Sequence, residues 1–212
     1  MTRSLYLRLL KLIHTFIRGW RRGSFSEALR QRRRRVLMAG VLLGLSGLAC
    51  ADNPSMTTES KVKAAFLFKF TNYVDWPPAA FELQDSPLVI SVMEADDVAS
   101  ELSRLVAGRT VNNRAIVVRR LGAGDSATGS HVLFVGSSAS GRLARILASA
   151  RPQGMLTVTE LDDTLAFGSV INFVLIDDQV RFDVSLPAAE KSNLKISSRL
   201  LTVAHQVVQV TP

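Results

Sequence analysis

Cysteine and histidine are nearly missing from this chain, and so is any long apolar run. One cysteine, Cys50, and three histidines, His14, His131 and His205, occur in 212 residues. A lone cysteine excludes an intrachain disulfide framework and a cysteine-based zinc site. The histidines have no paired spacing, so no metal site is expected. The acidic pairs Asp96-Asp97, Asp162-Asp163 and Asp177-Asp178 lack the alternating ligands of a calcium loop and read as helix-start or turn chemistry. The apolar stretch near the N-terminus covers residues 36–48, too short to span a bilayer comfortably.

What the chain has in plenty is basic charge, with a formal net charge of +8 and a pI near 10.4. That charge is confined to one end. Residues 1–51 hold 11 of the 26 Lys and Arg and a single acid, Glu27, leaving 15 basic and 17 acidic residues in 52–212. The remainder is mildly acidic, which removes the support for a nucleic-acid partner.

The basic end has the parts of an export signal. Arg32–Arg35 form a basic run, residues 36–48 an apolar region, and Ala49-Cys50-Ala51 a small-x-small cleavage pattern with cutting after Ala51. The expected domains are a leader over 1–51, a linker over 52–57 and one α/β domain over 58–212. The expected location is the periplasm. Cleavage there would remove Cys50. An alternative is lipidation of Cys50, although Gly47 stands where such sites usually carry leucine. Arg33-Arg34-Arg35-Val36-Leu37 also loosely fits a twin-arginine signal, a match that any arginine run gives cheaply. Residues 1–31, with Leu5, Leu9, Leu12, Phe16 and Trp20 at helical spacing, read either as a cationic amphipathic helix at a membrane or as an over-long leader.

Beyond residue 57 the periodicities are clear. Thr58 can cap a helix running to about residue 73, with Val62, Ala65, Phe66, Phe70, Tyr73 and Val74 as its apolar stripe, before Pro77-Pro78 ends it. Strands are expected at 88–93, 115–119, 132–135 and 155–159, and helices at 98–106 and 141–150. Residues 170–176 and 180–186 flank Asp177-Asp178-Gln179 as a hairpin. In the second arm Val180, Phe182, Val184 and Leu186 alternate with Arg181, Asp183 and Ser185, so one buried and one wet face are expected. A last helical region opens at Pro187. This order predicts an α/β fold: a single domain with a mixed β-sheet and helices packed on its faces.

Two sequence features invite a chemical reading. Gly136-Ser137-Ser138-Ala139-Ser140-Gly141 joins a buried strand to a helix. Its glycine spacing is that of a phosphate-binding loop, but Arg142 and Leu143 stand where Lys and Ser/Thr are needed. Ser138 could sit in a nucleophile elbow, yet nothing in the sequence brings His131 or His205 to it. A tight strand-to-helix turn explains the segment without chemistry. Phe66, Phe68, Phe70, Tyr73 and Trp76 cluster, and Phe167 and Phe173 flank Gly168. Exposed aromatics of this kind can anchor a protein partner.

Three stretches together resemble the YfiR family. They are Val62-Lys63-Ala64-Ala65-Phe66-Leu67-Phe68-Lys69-Phe70 with Tyr73-Val74-Asp75-Trp76-Pro77; Val132-Leu133-Phe134-Val135-Gly136-Ser137-Ser138; and the series from Gly154-Met155-Leu156-Thr157-Val158 to Leu194-Lys195-Ile196-Ser197-Ser198-Arg199-Leu200-Leu201. The resemblance implies a non-enzymatic periplasmic regulator without cofactor. Such a protein represses a membrane-bound diguanylate cyclase or similar sensor by binding its periplasmic part, and so lowers cyclic-di-GMP and biofilm formation. It further implies sequestration by an outer-membrane lipoprotein and the capacity to form a homodimer. The best-known member is stabilised by disulfides, and residues 52–212 have none. Partner-binding residues are expected around Phe167, Phe173, Arg181, Asp183 and Ile196. The competing expectation is a periplasmic small-ligand-binding protein that feeds a sensor kinase or transporter.

Overall fold

The computed structural model describes residues 54–151 and 154–209, with side chains from Thr58 onward. The leader, the cleavage site at Ala49 and Ala51, and Cys50 lie outside the described residues.

The elements, in order, are α1 (Pro54–Phe70), β1 (Val74–Asp75), β2 (Leu88–Met93), α2 (Asp96–Val106), β3 (Thr110–Val111), β4 (Arg114–Leu121), β5 (Val132–Val135), α3 (Leu143–Ala150), β6 (Leu156–Thr159), β7 (Ile171–Ile176), β8 (Gln179–Ser185), α4 (Leu186–Lys191), β9 (Lys195–Ile196), α5 (Ser198–Val203) and β10 (Gln206–Val208). Short 3-10 turns at Pro78–Ala80 and Ser137–Arg142 complete the path. Eight strands form one mixed sheet in the order β10-β8-β7-β6-β5-β2-β4-β3, so the expected α/β fold with a mixed sheet is present. β1 and β9 pair separately, Val74 opposite Ile196.

The centre of the sheet is parallel, and its strands are apolar on both faces as that burial requires. Val132, Leu133, Phe134 and Val135 of β5 are all fully buried. On one face, α1 and α2 cover Ile90, Phe134, Ile171, Phe173, Phe182 and Val184. Phe70 sits at the middle of this layer, its ring centroid 5.0 Å from Phe182 and 5.9 Å from Phe173. On the other face, α3 lays Leu143, Leu147 and Ala150 on Met93, Leu133 and Val135.

That second face changes character past β5. Thr157, Thr159, Asn172, Asp183 and Ser185 are buried there, and each has a partner. Thr159 donates to Asn172 Oδ1 at 2.8 Å and shares a hydrogen bond with Thr164 Oγ1 at 2.7 Å. Val170 N–H donates to Thr157 Oγ1 at 3.0 Å, and Ser169 Oγ donates to the Ile171 carbonyl at 2.7 Å. Buried hydroxyls are tolerated only when satisfied in this way. Together they fix the loop between β6 and β7.

Three expectations need correction. The α1 helix begins at Pro54 and ends at Phe70, so Thr58 is inside it and is no cap, and Val74 belongs to β1. Its most buried positions are Ala64, Leu67 and Phe70, with Val62, Ala65 and Phe66 half-buried beside them. The helix is apolar on more than one side because both the sheet and α2 press on it. Of the three residues expected on the wet face of β8, only Arg181 is exposed: Asp183 Oδ1 pairs with His205 Nδ1 at 2.8 Å, and Ser185 Oγ accepts from Ala188 N–H as the cap of α4. The last helical region is two helices. Asn193 (φ 54°) ends α4 in a left-handed turn, with Leu194 N–H donating to Ala189 O and Asn193 N–H to Glu190 O. β9 and β10, two and three residues long, then follow.

Candidate functional site

The parallel strands place their carboxyl ends together at one edge. From β2 the chain crosses through α2 to β4 on one side; from β5 it crosses through α3, on the opposite face, to β6 on the other. The two connections leave in opposite directions, which opens a crevice between the ends of β2 and β5. Gly136 holds the strands close there. Its N–H donates to Met93 O at 2.9 Å, and a Cβ on it would lie 2.5 Å from the Glu94 carbonyl oxygen.

The crevice encloses about 460 Å³ and is lined by Glu59, Lys63, Glu94, Asp96, Asp97, Ser137, Ser138 and Glu160. Lys63 is its one lysine. Its ammonium lies 2.5 Å from Glu59 Oε1 and 2.5 Å from Glu160 Oε2. Glu160 Oε1 accepts from Ser137 N–H at 2.8 Å. Burial pulls the Lys63 pKa down, but its hydrogen bonds and attraction to Glu160 and Glu59 outweigh this and leave it above the usual lysine value. Glu94 pairs with Arg142. Asp96 and Asp97 occupy the first turn of α2, where the helix dipole favours them.

This geometry disposes of the two chemical readings of the serine segment. Ser137 and Ser138 are exposed, but the Ser137 amide is already taken by a carboxylate, which is the wrong charge for a phosphate cradle. His131 lies at the opposite end of β5, and His205 is bound to Asp183, so neither histidine reaches Ser138. His131 instead has a structural post. Its Nδ1 accepts from Val89 N–H at 3.1 Å, its Nε2 faces the Ala80 carbonyl at 3.0 Å, and its ring stacks on Phe81 with centroids 4.3 Å apart. Burial, reinforced by the Arg114 charge and only partly opposed by the Ala80 carbonyl, holds its pKa below the usual histidine value. Among the described residues no group of three or more His, Cys, Asp or Glu is arranged to hold a metal ion.

The five expected partner residues fall in different settings. Phe167 is 53% exposed and sits on the loop between β6 and β7, where Arg151 Nη2 donates to its carbonyl at 2.8 Å. Arg181 is exposed beside Gln179. Phe173 is 4% exposed and packs in the phenylalanine layer. Asp183 is buried against His205, and Ile196 is half-buried in the β1–β9 pair. The structure therefore does not gather these residues into one patch. The clasp of Glu59, Lys63 and Glu160 was not anticipated. The four-residue spacing of Glu59 and Lys63 was a usable signal; the approach of Glu160, 97 residues beyond Lys63, was not.

Two solved structures are similar to this chain. A conserved domain protein from Vibrio cholerae O1 biovar El Tor is 11% identical, with a TM-score of 0.47, covering 70% of this chain and 60% of that one. The ABC domain from Streptococcus pneumoniae, solved in complex with L-Trp, is 9% identical, with a TM-score of 0.49, covering 71% and 60%. The chain thus spans about three-fifths of each of these structures. No curated protein matches the sequence. A family model described as YfiR/HmsC-like matches residues 60–205, nearly the whole of the described domain. The chain belongs to the YfiR/HmsC-like family.

Proposed function

We propose that this protein is a periplasmic regulatory binding protein that represses a membrane-bound diguanylate cyclase, or a similar sensor, by contact with its periplasmic part. Membership of a family of regulators carries the reading. The serine segment, which holds no assembled triad or phosphate cradle, is consistent with it. Phe167 is the first candidate contact, because it is an exposed aromatic on a loop that buried hydrogen bonds hold still. An outer-membrane lipoprotein that sequesters the protein, and a homodimer, belong to the same reading. Deleting the gene should raise cellular cyclic-di-GMP and biofilm. Restoring the wild-type chain should reverse this, and Phe167→Ala should reverse it less well. An unchanged cyclic-di-GMP level on deletion would overturn the cyclase connection.

The crevice at the ends of β2 and β5 favours a second reading, a small-ligand-binding protein that feeds a sensor kinase or transporter. Its volume and polar lining suit a small polar molecule. A metabolite panel scored by thermal shift separates the two: a hit abolished by Lys63→Met would favour ligand sensing.

A further inference from the structure

β4 lies beside the edge of the sheet, and most of its outer side is open. β3 pairs with it only through Thr110 opposite Ala115 and Val111 opposite Arg114. The chain then diverges, and among the described residues nothing pairs with the outer side from Ile116 to Leu121. Asn112 and Asn113, with φ of 49° and 63°, make a two-residue turn, so Val111 and Arg114 are its hydrogen-bonded closing pair. Counting on by two, the N–H and C=O groups of Ile116, Val118 and Arg120 point outward. Leu121 has the opposite phase, and its carbonyl accepts from Glu94 N–H on the β2 side.

Native sheets normally blunt such an edge with a proline, a bulge or charged side chains, and of these β4 has only its arginines. β4 has no proline or glycine, and its register with β2 runs unbroken from Ile116 to Leu121. Val117 is 41% exposed. Where β3 departs there is a groove of about 420 Å³, lined by Val106, Gly108, Arg109, Ile116 and Val118 among others.

The chain that leads into and forms this edge carries charge of one sign. Residues 104–120 contain five arginines and no acid, in a domain that is acidic overall. Arg104 pairs with Glu101. Arg109 lies over the Phe68 ring, Arg114 over the Phe81 ring, and Arg119 and Arg120 bond to hydroxyls. Among the described residues these four make no ion pair with a carboxylate. A second copy of this chain would set arginines against arginines, whereas an acidic strand would neutralise them.

We infer that the open edge of β4 is a docking site for an extended acidic segment of a partner protein, which adds to the sheet as a strand and places apolar side chains in the groove. This rests on the partner-binding reading and gives that partner a chemistry.

The test uses the purified protein with two capped peptides, one of alternating glutamate and valine and one of alternating lysine and valine. Binding is measured by anisotropy, and amide hydrogen exchange is followed residue by residue. The glutamate peptide should bind, and it should slow exchange at Ile116, Val118 and Arg120 at least about tenfold, because strand pairing occupies those donors. Its affinity should fall at least about tenfold on raising salt from about 0.05 to 0.3 M, as expected for exposed charges. Arg109→Glu with Arg120→Glu, both on exposed side chains, should lower it by a similar factor and leave the melting temperature close to wild type. Equal binding of the lysine peptide, absence of binding, or binding without protection of those three amides would overturn the proposal. So would a free protein in which a dimer already protects them. If the edge fails while a membrane partner is still captured, the regulator reading stands without it.

Discussion

Replacing Glu160 by glutamine removes the charge that ties α1 to the end of β6. In the wild type one Glu160 oxygen faces the Lys63 ammonium at 2.5 Å and the other accepts the Ser137 amide at 2.8 Å. The side chains of Lys63 and Glu160 are 12% and 13% exposed, so water replaces neither bond fully. A hydrogen bond to a charged partner is worth about 1.5–3 kcal/mol, and a buried charge left unpaired costs more. Lys63 keeps Glu59, whose side chain is 35% exposed, so the lower end applies and the expected loss is about 1.5–2 kcal/mol. For a domain of this size that is a fall in melting temperature of about 3–8 °C. Chemical denaturation followed by circular dichroism checks it, with a double-mutant cycle against Lys63→Met. The double mutant should be less destabilised than the sum of the singles. The effect should depend on pH in one direction. The Lys63 pKa is raised in the fold, so the clasp contributes fully below about 10.5, the unfolded lysine value, and is lost as pH rises through the folded value. A cost below about 0.5 kcal/mol, or strict additivity with Lys63→Met, would refute the argument that these charges are coupled.

Three further outcomes are expected. Phe70→Ala empties the centre of the phenylalanine layer and should cost about 3–5 kcal/mol in chemical denaturation, enough to threaten folding at 37 °C. Gly136→Ala should destabilise more than Gly168→Ala in thermal melts. The new Cβ at 136 meets the Glu94 backbone at 2.5 Å, whereas at 168 it meets the mobile end of Arg151, leaving mainly the strain of φ +98°. The His131 pKa is lowered in the fold, so its contribution is complete above about 6.5 and is lost as pH falls through the folded value. Stability measured from pH 7.5 to 5 should therefore drop more in wild type than in His131→Gln, and equal slopes would count against the neutral, Nδ1-accepting ring.

The central sheet was legible because strands buried on both faces write themselves as short apolar runs, and Val132–Val135 is the plainest case. The turns were legible through Asp177-Asp178, whose φ values of 48° and 58° are those of a tight hairpin. The C-terminal region was harder. Asn193 breaks the helical pattern through a backbone conformation that its neighbours do not announce, and a three-residue strand such as β10 carries too little pattern to detect. The polar second face of β6–β8 misled in another way. Asp183 and Ser185 alternate as exposed residues would, yet partners distant in sequence or local caps cover them. The partner residues were chosen from one stretch of sequence, but strand alternation sends Phe173 and Arg181 to opposite faces and leaves Phe167 on a loop. The β4 edge went unnoticed because an open strand side is a property of the sheet order, which sequence does not display.

The phenylalanine layer has a consequence for how the chain acquires its shape. Phe66 and Phe70 come from the first helix of the domain, while Phe173 and Phe182 come from the hairpin near its end. The helix made first cannot be sealed until the strands made nearly last arrive. Contacts this distant in sequence slow folding, and until they form, a nascent chain displays Phe66, Phe68 and Phe70 to whatever surrounds it. The layer thus closes late, with the aromatic segment of α1 open to chaperones until the hairpin arrives.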